Sequence, residues 1–372
     1  MVLPDLPTPQ VLIESNRLQR NIDRIQQFAT DAGISLRPHS KTHKSPTIAR
    51  WQIDRGAKGI CCAKVAEAEV MAAAGIDDIR LAYPINPANA HRLLALMDRA
   101  SLSIVVDHVD VARAWSTAIA RAGRILDVIV KVDVGFHRCG IDPDAPGAVD
   151  FIRSVGLLPG LRLRGLLSHA GQSYQVDTEN ELCVIARREV EILTMLRDRA
   201  ARAGIPLEEI SVGATPTLRY SLQQQGITEL RPGNYVYFDR TQVSLGAASL
   251  DDCALTVLAT VVSRPAADRL ILDCGSKTLT TDLARGFGPT AGYGVVLEPD
   301  GSTINEALMI ERLSEEHATV RVVGRSELAP GDRVRVLPNH ACVVANMVDE
   351  VLLVEGDRVI DKLPVAARGR IT

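Results

Sequence analysis

An α/β chain built as a (β/α)8 barrel followed by a smaller all-β domain is what this 372-residue sequence predicts. Eight short β-rich segments recur, stretches of helical periodicity separate them, and near residue 246 the helical pattern stops. Polar residues stand at the ends of many predicted strands, where the reactive groups of a barrel gather. That convergence favours a closed barrel over a doubly wound open sheet.

The chain opens with a predicted strand over 9–13 and a helix over 16–31, with Ser15 or Asn16 as its cap and Gly33 as its stop. Strands follow near 34–38, 59–62, 79–83, 102–106, 127–133, 162–168, 208–213 and 228–231. Helical spacing is clearest over 64–74, 108–121 and 180–203. Beyond the barrel, segments 254–262, 269–272, 319–323, 333–336 and 350–354 alternate or run apolar between Gly and Pro. The expected division is a barrel over 14–245 and a β-domain over 246–372. The N-terminal strand, within 1–13, needs a partner outside the eight and is expected to join the β-domain.

Composition narrows the partners. A net charge of −3 with mixed signs argues against a nucleic-acid or membrane-surface role and points to a small molecule. No run approaches the roughly 20 apolar residues of a membrane span. The start lacks the basic and apolar regions of a signal peptide, so a cytoplasmic protein is expected. Seven cysteines without a disulfide-rich spacing fit reduced thiols there, with Cys61-Cys62 packed at a strand end.

Six segments could do chemistry. Arg37-Pro38-His39-Ser40-Lys41-Thr42-His43-Lys44 follows the first barrel strand. Lys41 is thereby fixed on a rigid element yet open at its mouth, as Schiff-base chemistry with pyridoxal phosphate requires. Taken alone, such a cluster also reads as a solvated basic loop. Val212-Gly213-Ala214-Thr215-Pro216-Thr217 and Arg231-Pro232-Gly233-Asn234-Tyr235 follow strands seven and eight, the habitual phosphate site of a barrel. Gly213, Thr215, Gly233 and Tyr235 suit that site, although they are ordinary turn residues too.

Arg138, in Gly135-Phe136-His137-Arg138-Cys139-Gly140, offers a fixed cation for the phenolate oxygen of the cofactor. His169, in Ser168-His169-Ala170-Gly171, could orient or exchange a proton, or simply be a satisfied rim histidine. In Leu337-Pro338-Asn339-His340-Ala341-Cys342, an extended backbone would turn His340 and Cys342 to one side, able to chelate a divalent ion. Soft sulfur with imidazole favours Zn²⁺ over Mg²⁺ or Ca²⁺ and leaves coordination positions open. Glu316-His317 reads as a surface turn.

With Arg37-Pro38-His39-Ser40-Lys41-Thr42-His43-Lys44, Ser168-His169-Ala170-Gly171, Gly213-Ala214-Thr215-Pro216-Thr217 and Pro338-Asn339-His340-Ala341-Cys342 in this order, the chain resembles the D-threonine aldolase and D-serine dehydratase family, pyridoxal-phosphate enzymes of the alanine racemase fold type. The resemblance spans essentially the whole chain. It implies Lys41 as the cofactor-bound lysine, Arg138 beside the cofactor, and Gly213, Thr215, Gly233 and Tyr235 at its phosphate. It further implies His340 and Cys342 on an activating metal (zinc, with manganese or magnesium as alternatives), a homodimer, and a D-amino acid substrate. Lys41 and His169 would be the catalytic pair.

Aldolases of this family tend to carry His-x-Asp at the metal position and dehydratases His-x-Cys. This chain has cysteine. The resemblance therefore leans to a dehydratase converting D-serine or D-threo-3-hydroxyaspartate to a 2-oxo acid and ammonia. The alternatives are retro-aldol cleavage to glycine and an aldehyde, a racemase with Tyr293 as second base, and a non-catalytic pyridoxal-phosphate carrier.

Overall fold

The computed structural model describes residues 2–288, 290–299 and 301–372. Strand β1 (Gln10–Glu14) leads into the helix Ser15–Asp31, which buries Leu18, Ile22, Ile25 and Ala29 at three- and four-residue spacing. Gly33, at φ +67°, turns the chain back toward the barrel, a conformation that glycine adopts without steric cost. Eight strands follow: β2 (Ser35–Leu36), β3 (Ile60–Cys62), β4 (Asp78–Pro84), β5 (Ser101–Val106), β6 (Leu126–Lys131), β7 (Leu161–Leu167), β8 (Glu209–Val212) and β9 (Glu229–Leu230).

All their pairings are parallel, in the order β2-β9-β8-β7-β6-β5-β4-β3. The two edges meet. Lys58 N–H donates to the Leu36 carbonyl at 2.9 Å and Cys61 N–H to that of Pro38 at 2.7 Å, closing the predicted barrel. β5 and β6 read as near-continuous apolar runs because both faces of a covered parallel strand are buried. The long outer helix Glu179–Arg202 starts at a capping box in which Thr178 and Glu181 exchange hydrogen bonds.

The barrel interior is not wholly apolar. Val105, Ile129 and Leu167 form one small packed layer, but Arg37, Arg80 and Glu229 are each only 2% exposed and lie together. Arg37 Nε donates to Glu229 at 2.8 Å, and Arg80 bonds both Glu229 and Glu209. Ser211 donates to Glu229 and receives a bond from Arg231, so the network runs up to the residues above strand β9.

Burial opposes ionisation of Glu229, but Arg80, Arg37 and the Ser211 hydroxyl bring its carboxyl down to about 2. Its folded value lies below its unfolded one, so this stabilisation is complete above the unfolded value. It is lost as pH falls from roughly 4.5 toward 2. Glu229→Gln leaves two buried guanidinium groups short of an anion. We expect a loss of about 3–5 kcal/mol in chemical denaturation at pH 7, with a weaker acid dependence. An unchanged midpoint would mean that the cluster is already hydrated.

The second sheet combines β1 with β10 (Leu255–Ala266), β11 (Arg269–Leu272), β12 (Val295–Leu297), β13 (Leu308–Leu313), β14 (Ala318–Val322), β15 (Arg333–Leu337), β16 (Glu350–Glu355) and β17 (Arg358–Pro364). β1 lies in its middle, antiparallel to β10 and parallel to β16. Apart from that contact its ladders are antiparallel. Among the described residues no helix is long and apolar enough to cross a membrane.

One local expectation needs correction. The segment over 337–342 is not extended throughout: β15 ends at Leu337, His340 keeps extended angles as a cap, and the short helix Ala341–Ala345 begins. Asp239 causes the change of direction, because its carboxylate accepts the Ala341 N–H at 2.9 Å. The new helix packs against the turn Ser40–Thr42.

Candidate active site

The carboxyl ends of seven of the eight barrel strands open onto one cavity of about 990 Å³. Its other wall is the β-domain, through residues 281–285 and the helix carrying Cys342. That wall and mouth hold seven lysines and arginines against two aspartates, a balance that suits an anionic occupant.

Lys41 lies on the cavity in the single 3-10 turn Ser40–Thr42. His39 and His169 share its surroundings. Burial first, then Lys41, holds both imidazoles well below the ordinary histidine value, so both are neutral. His169 Nδ1 lies 2.7 Å from the Gly213 carbonyl, which can only accept. The ring proton is therefore on Nδ1, leaving Nε2 as an acceptor. Phe136 meets His169 edge to face at 6.1 Å and carries the Arg138 guanidinium over its ring at 5.3 Å. Arg138 also lines the cavity.

Two loops approach this turn from strands β8 and β9. A Cβ at Gly233 would stand 3.0 Å from Thr42 Oγ1 and 3.2 Å from His39, tighter than ordinary contact, so glycine lets the two loops approach closely without displacing either neighbour. The backbone N–H groups of Gly213, Ala214, Gly233, Asn234 and Tyr235 donate to no protein acceptor among the described residues. The buried Thr215 hydroxyl likewise has no partner. An orphaned hydroxyl among free N–H groups matches what a phosphate requires.

Tyr235 is placed differently from its expected role. It is fully buried, its hydroxyl receives a 2.8 Å bond from Gln52, and it faces a separate cavity of about 170 Å³. Only its backbone N–H remains for a phosphate. Tyr293 is half-buried against the core and does not line the main cavity. Glu316 pairs with Lys277 at the surface, 2.8 Å away.

His340 and Cys342 come together despite the bend between them. Thr42 Oγ1 is 3.2 Å and the Asn234 amide 3.4 Å from Cys342 Sγ. Burial disfavours the thiolate, but His340 and then the Thr42 hydroxyl hold the thiol below its ordinary value. Burial also works against charge on His340, yet Cys342, Asp239 and Asp282 raise it to about 10. No third His, Cys, Asp or Glu completes a metal-binding group among the described residues. An imidazole and a thiolate flanked by two carboxylates nevertheless suit a divalent cation.

Three participants escaped the sequence reading. Lys131, at the end of β6, has its amine pushed down to about 7 by burial and by Arg231. Its place at a strand end was a usable signal. Asp239 is buried, bonded by Asn234 at 2.6 Å, and caps the helix Arg240–Ser244. That capping role hid it. Asp282, in a loop, lies 2.6 Å from His340 Nδ1 with no local pattern to mark it.

The chain matches the family described as "Alanine racemase, N-terminal domain" over residues 13–241. It matches the "Putative serine dehydratase domain" over 254–354. It is 35% identical to a D-threo-3-hydroxyaspartate dehydratase of Delftia sp. strain HT23, over 91% of each chain. A D-threonine aldolase of Arthrobacter sp. is 33% identical, over 99% of this chain and 94% of the relative. The solved structure of the Delftia dehydratase superposes with a TM-score of 0.92 and 32% identity, covering 98% of both chains. A cysteine variant of that dehydratase has been solved in a metal-free form.

Proposed function

This chain belongs to the pyridoxal-phosphate fold family of the alanine racemase N-terminal domain, and from that premise we propose that it is a metal-dependent dehydratase of D-3-hydroxy amino acids. Its relatives include dehydratases and aldolases, all named for D-amino acid substrates. The single observation that carries the dehydratase reading is the 3.2 Å contact between Thr42, the neighbour of Lys41, and Cys342. Elimination takes a proton from Cα and hydroxide from the adjoining Cβ. The base and the Lewis acid must therefore stand side by side, a requirement that the contact between the turn carrying Lys41 and Cys342 supports.

When bound, pyridoxal phosphate supplies an electron sink at Cα, and the divalent ion weakens the Cβ–hydroxyl bond. Lys41 would hold the cofactor through its ε-amine and, once displaced by substrate, take the α-proton. Thr215 and the free N–H groups of the two glycine loops would hold the phosphate, and Arg138 the phenolate oxygen. His169, neutral with a bare Nε2, can accept a hydrogen bond without adding charge. His340 and Cys342 would hold the ion, Zn²⁺ being preferred for its match to thiolate and imidazole over Mn²⁺ or Mg²⁺. Hydrolysis of the released enamine gives the 2-oxo acid and ammonia.

On this reading residues 14–245 form the cofactor domain, and 246–372 with strand 1–13 form the metal-bearing β-domain. We further assign the protein to the cytoplasm, supported by seven free cysteines, and to a homodimer, which light scattering would test.

Product analysis decides the reaction. Protein loaded with pyridoxal phosphate and Zn²⁺ or Mn²⁺ is incubated with D-serine, D-threonine and D-threo-3-hydroxyaspartate, with and without EDTA. Ammonia and a 2-oxo acid, lost with EDTA, are the expected result. Glycine and an aldehyde would establish the aldolase reaction instead, and activity that survives EDTA with exchange into both enantiomers would establish a racemase.

A further inference from the structure

Resting on the metal-dependent reading above, we propose that Asp282 is a positioning residue for the metal: its carboxylate fixes the His340 ring so that Nε2 is the ligating nitrogen. The Asp282 Oδ2 to His340 Nδ1 distance is 2.6 Å, a short hydrogen bond in which the carboxylate oxygen accepts. Nδ1 therefore bears the hydrogen. An imidazole binds a cation through its bare nitrogen, which leaves Nε2 for the ion.

The carboxylate is itself held in place. Asn339, buried and adjacent to His340, donates from Nδ2 to the Asp282 carbonyl at 3.0 Å and to the Gly292 carbonyl at 2.9 Å. Arg240 holds the other side of that amide, 3.3 Å from Asn339 Oδ1, and reaches the Ala291 carbonyl at 2.8 Å. The backbone at Asp282 and at Gly292 is thus pinned by the residue that precedes the metal ligand. Pinning before the ion arrives removes an ordering cost from metal binding.

A plain surface ion pair is the competing account, and exposure decides against it as a source of stability. The His340 and Asp282 side chains are 41% and 43% exposed, and pairs so open to solvent contribute little to folding. The orientation of the ring is what the contact supplies.

The test is Zn²⁺ affinity of cofactor-loaded protein, measured by competition with a chromophoric chelator. Asp282→Ala is expected to weaken binding about 10- to 100-fold. Asp282→Asn, which retains an acceptor oxygen, should fall between alanine and the unaltered protein. Glu316→Ala, which removes an exposed ion pair of the same domain, should leave the affinity unchanged. With Co²⁺ at saturation, the thiolate-to-cobalt absorption should persist in Asp282→Ala, since Cys342 still ligates. The near-isosteric Asp282→Leu keeps the experiment open should the alanine variant fail to fold. Unaltered affinity in either variant, beside lost binding in His340→Ala, overturns this inference alone. Unaltered affinity in His340→Ala overturns the metal site and this inference with it.

Discussion

Lys41→Ala is expected to fold, to lack the visible absorbance of lysine-bound pyridoxal phosphate, and to lose turnover by about 10⁴-fold or more. Folding should survive because the Lys41 side chain is exposed and its amine makes no hydrogen bond or ion pair among the described residues. The prediction has a real competitor in the same cavity. Lys131 is buried, its amine lowered to about 7, a state in which lysines readily attack carbonyls. Placement separates the two. Lys41 shares its turn with Thr42, which touches Cys342, whereas Lys131 sits at the end of β6 beside Arg231. On the proposed reading, only the first adjoins the pair that would hold the metal. Lys131→Ala should therefore keep the absorbance. If Lys41→Ala keeps it and Lys131→Ala loses it, the carrier is Lys131 and the mechanism proposed here is wrong.

The barrel could be read from sequence because covered parallel strands such as β5 and β6 are short, mostly apolar runs that give way to a polar residue. Edge strands of the second sheet offered no such mark. β17 alternates weakly, with most of its residues in water, and β13 at the opposite edge buries only Leu308 and Ile310. β12 is three residues long. Each lies where solvent replaces one packing partner, so hydrophobic periodicity fades.

The site divides in the same way. Lys41, Arg138, His169, Gly213, Thr215 and Gly233 stand after barrel strands, where topology alone brings them to one mouth. His340 and Cys342 were singled out by their spacing together with the family resemblance, although the backbone between them bends rather than runs extended. Asp239 and Asp282 act on residues 102 and 58 positions away, through contacts that exist only after folding. Tyr235 shows the converse: its loop reaches the cavity while its ring turns into the core to meet Gln52. Sequence position specifies where a backbone passes, and packing specifies where a large side chain goes.

The same division frames the second large effect. His340→Ala should retain the visible absorbance of bound cofactor, because Lys41 and the phosphate loops are untouched, yet lose Zn²⁺ and about 10³-fold or more in ammonia release. Loss of absorbance together with activity would instead mean that His340 serves the cofactor. Cys342→Asp refines the result. An oxygen ligand is harder than a thiolate, so preference should move from Zn²⁺ toward Mn²⁺ or Mg²⁺. The product should nevertheless remain a 2-oxo acid, because the bond that breaks is set by how the substrate is turned against the cofactor plane and not by the metal ligand alone. If Cys342→Asp instead releases glycine and an aldehyde, ligand identity alone selects the bond, and the division between dehydratase and aldolase reduces to a single side chain.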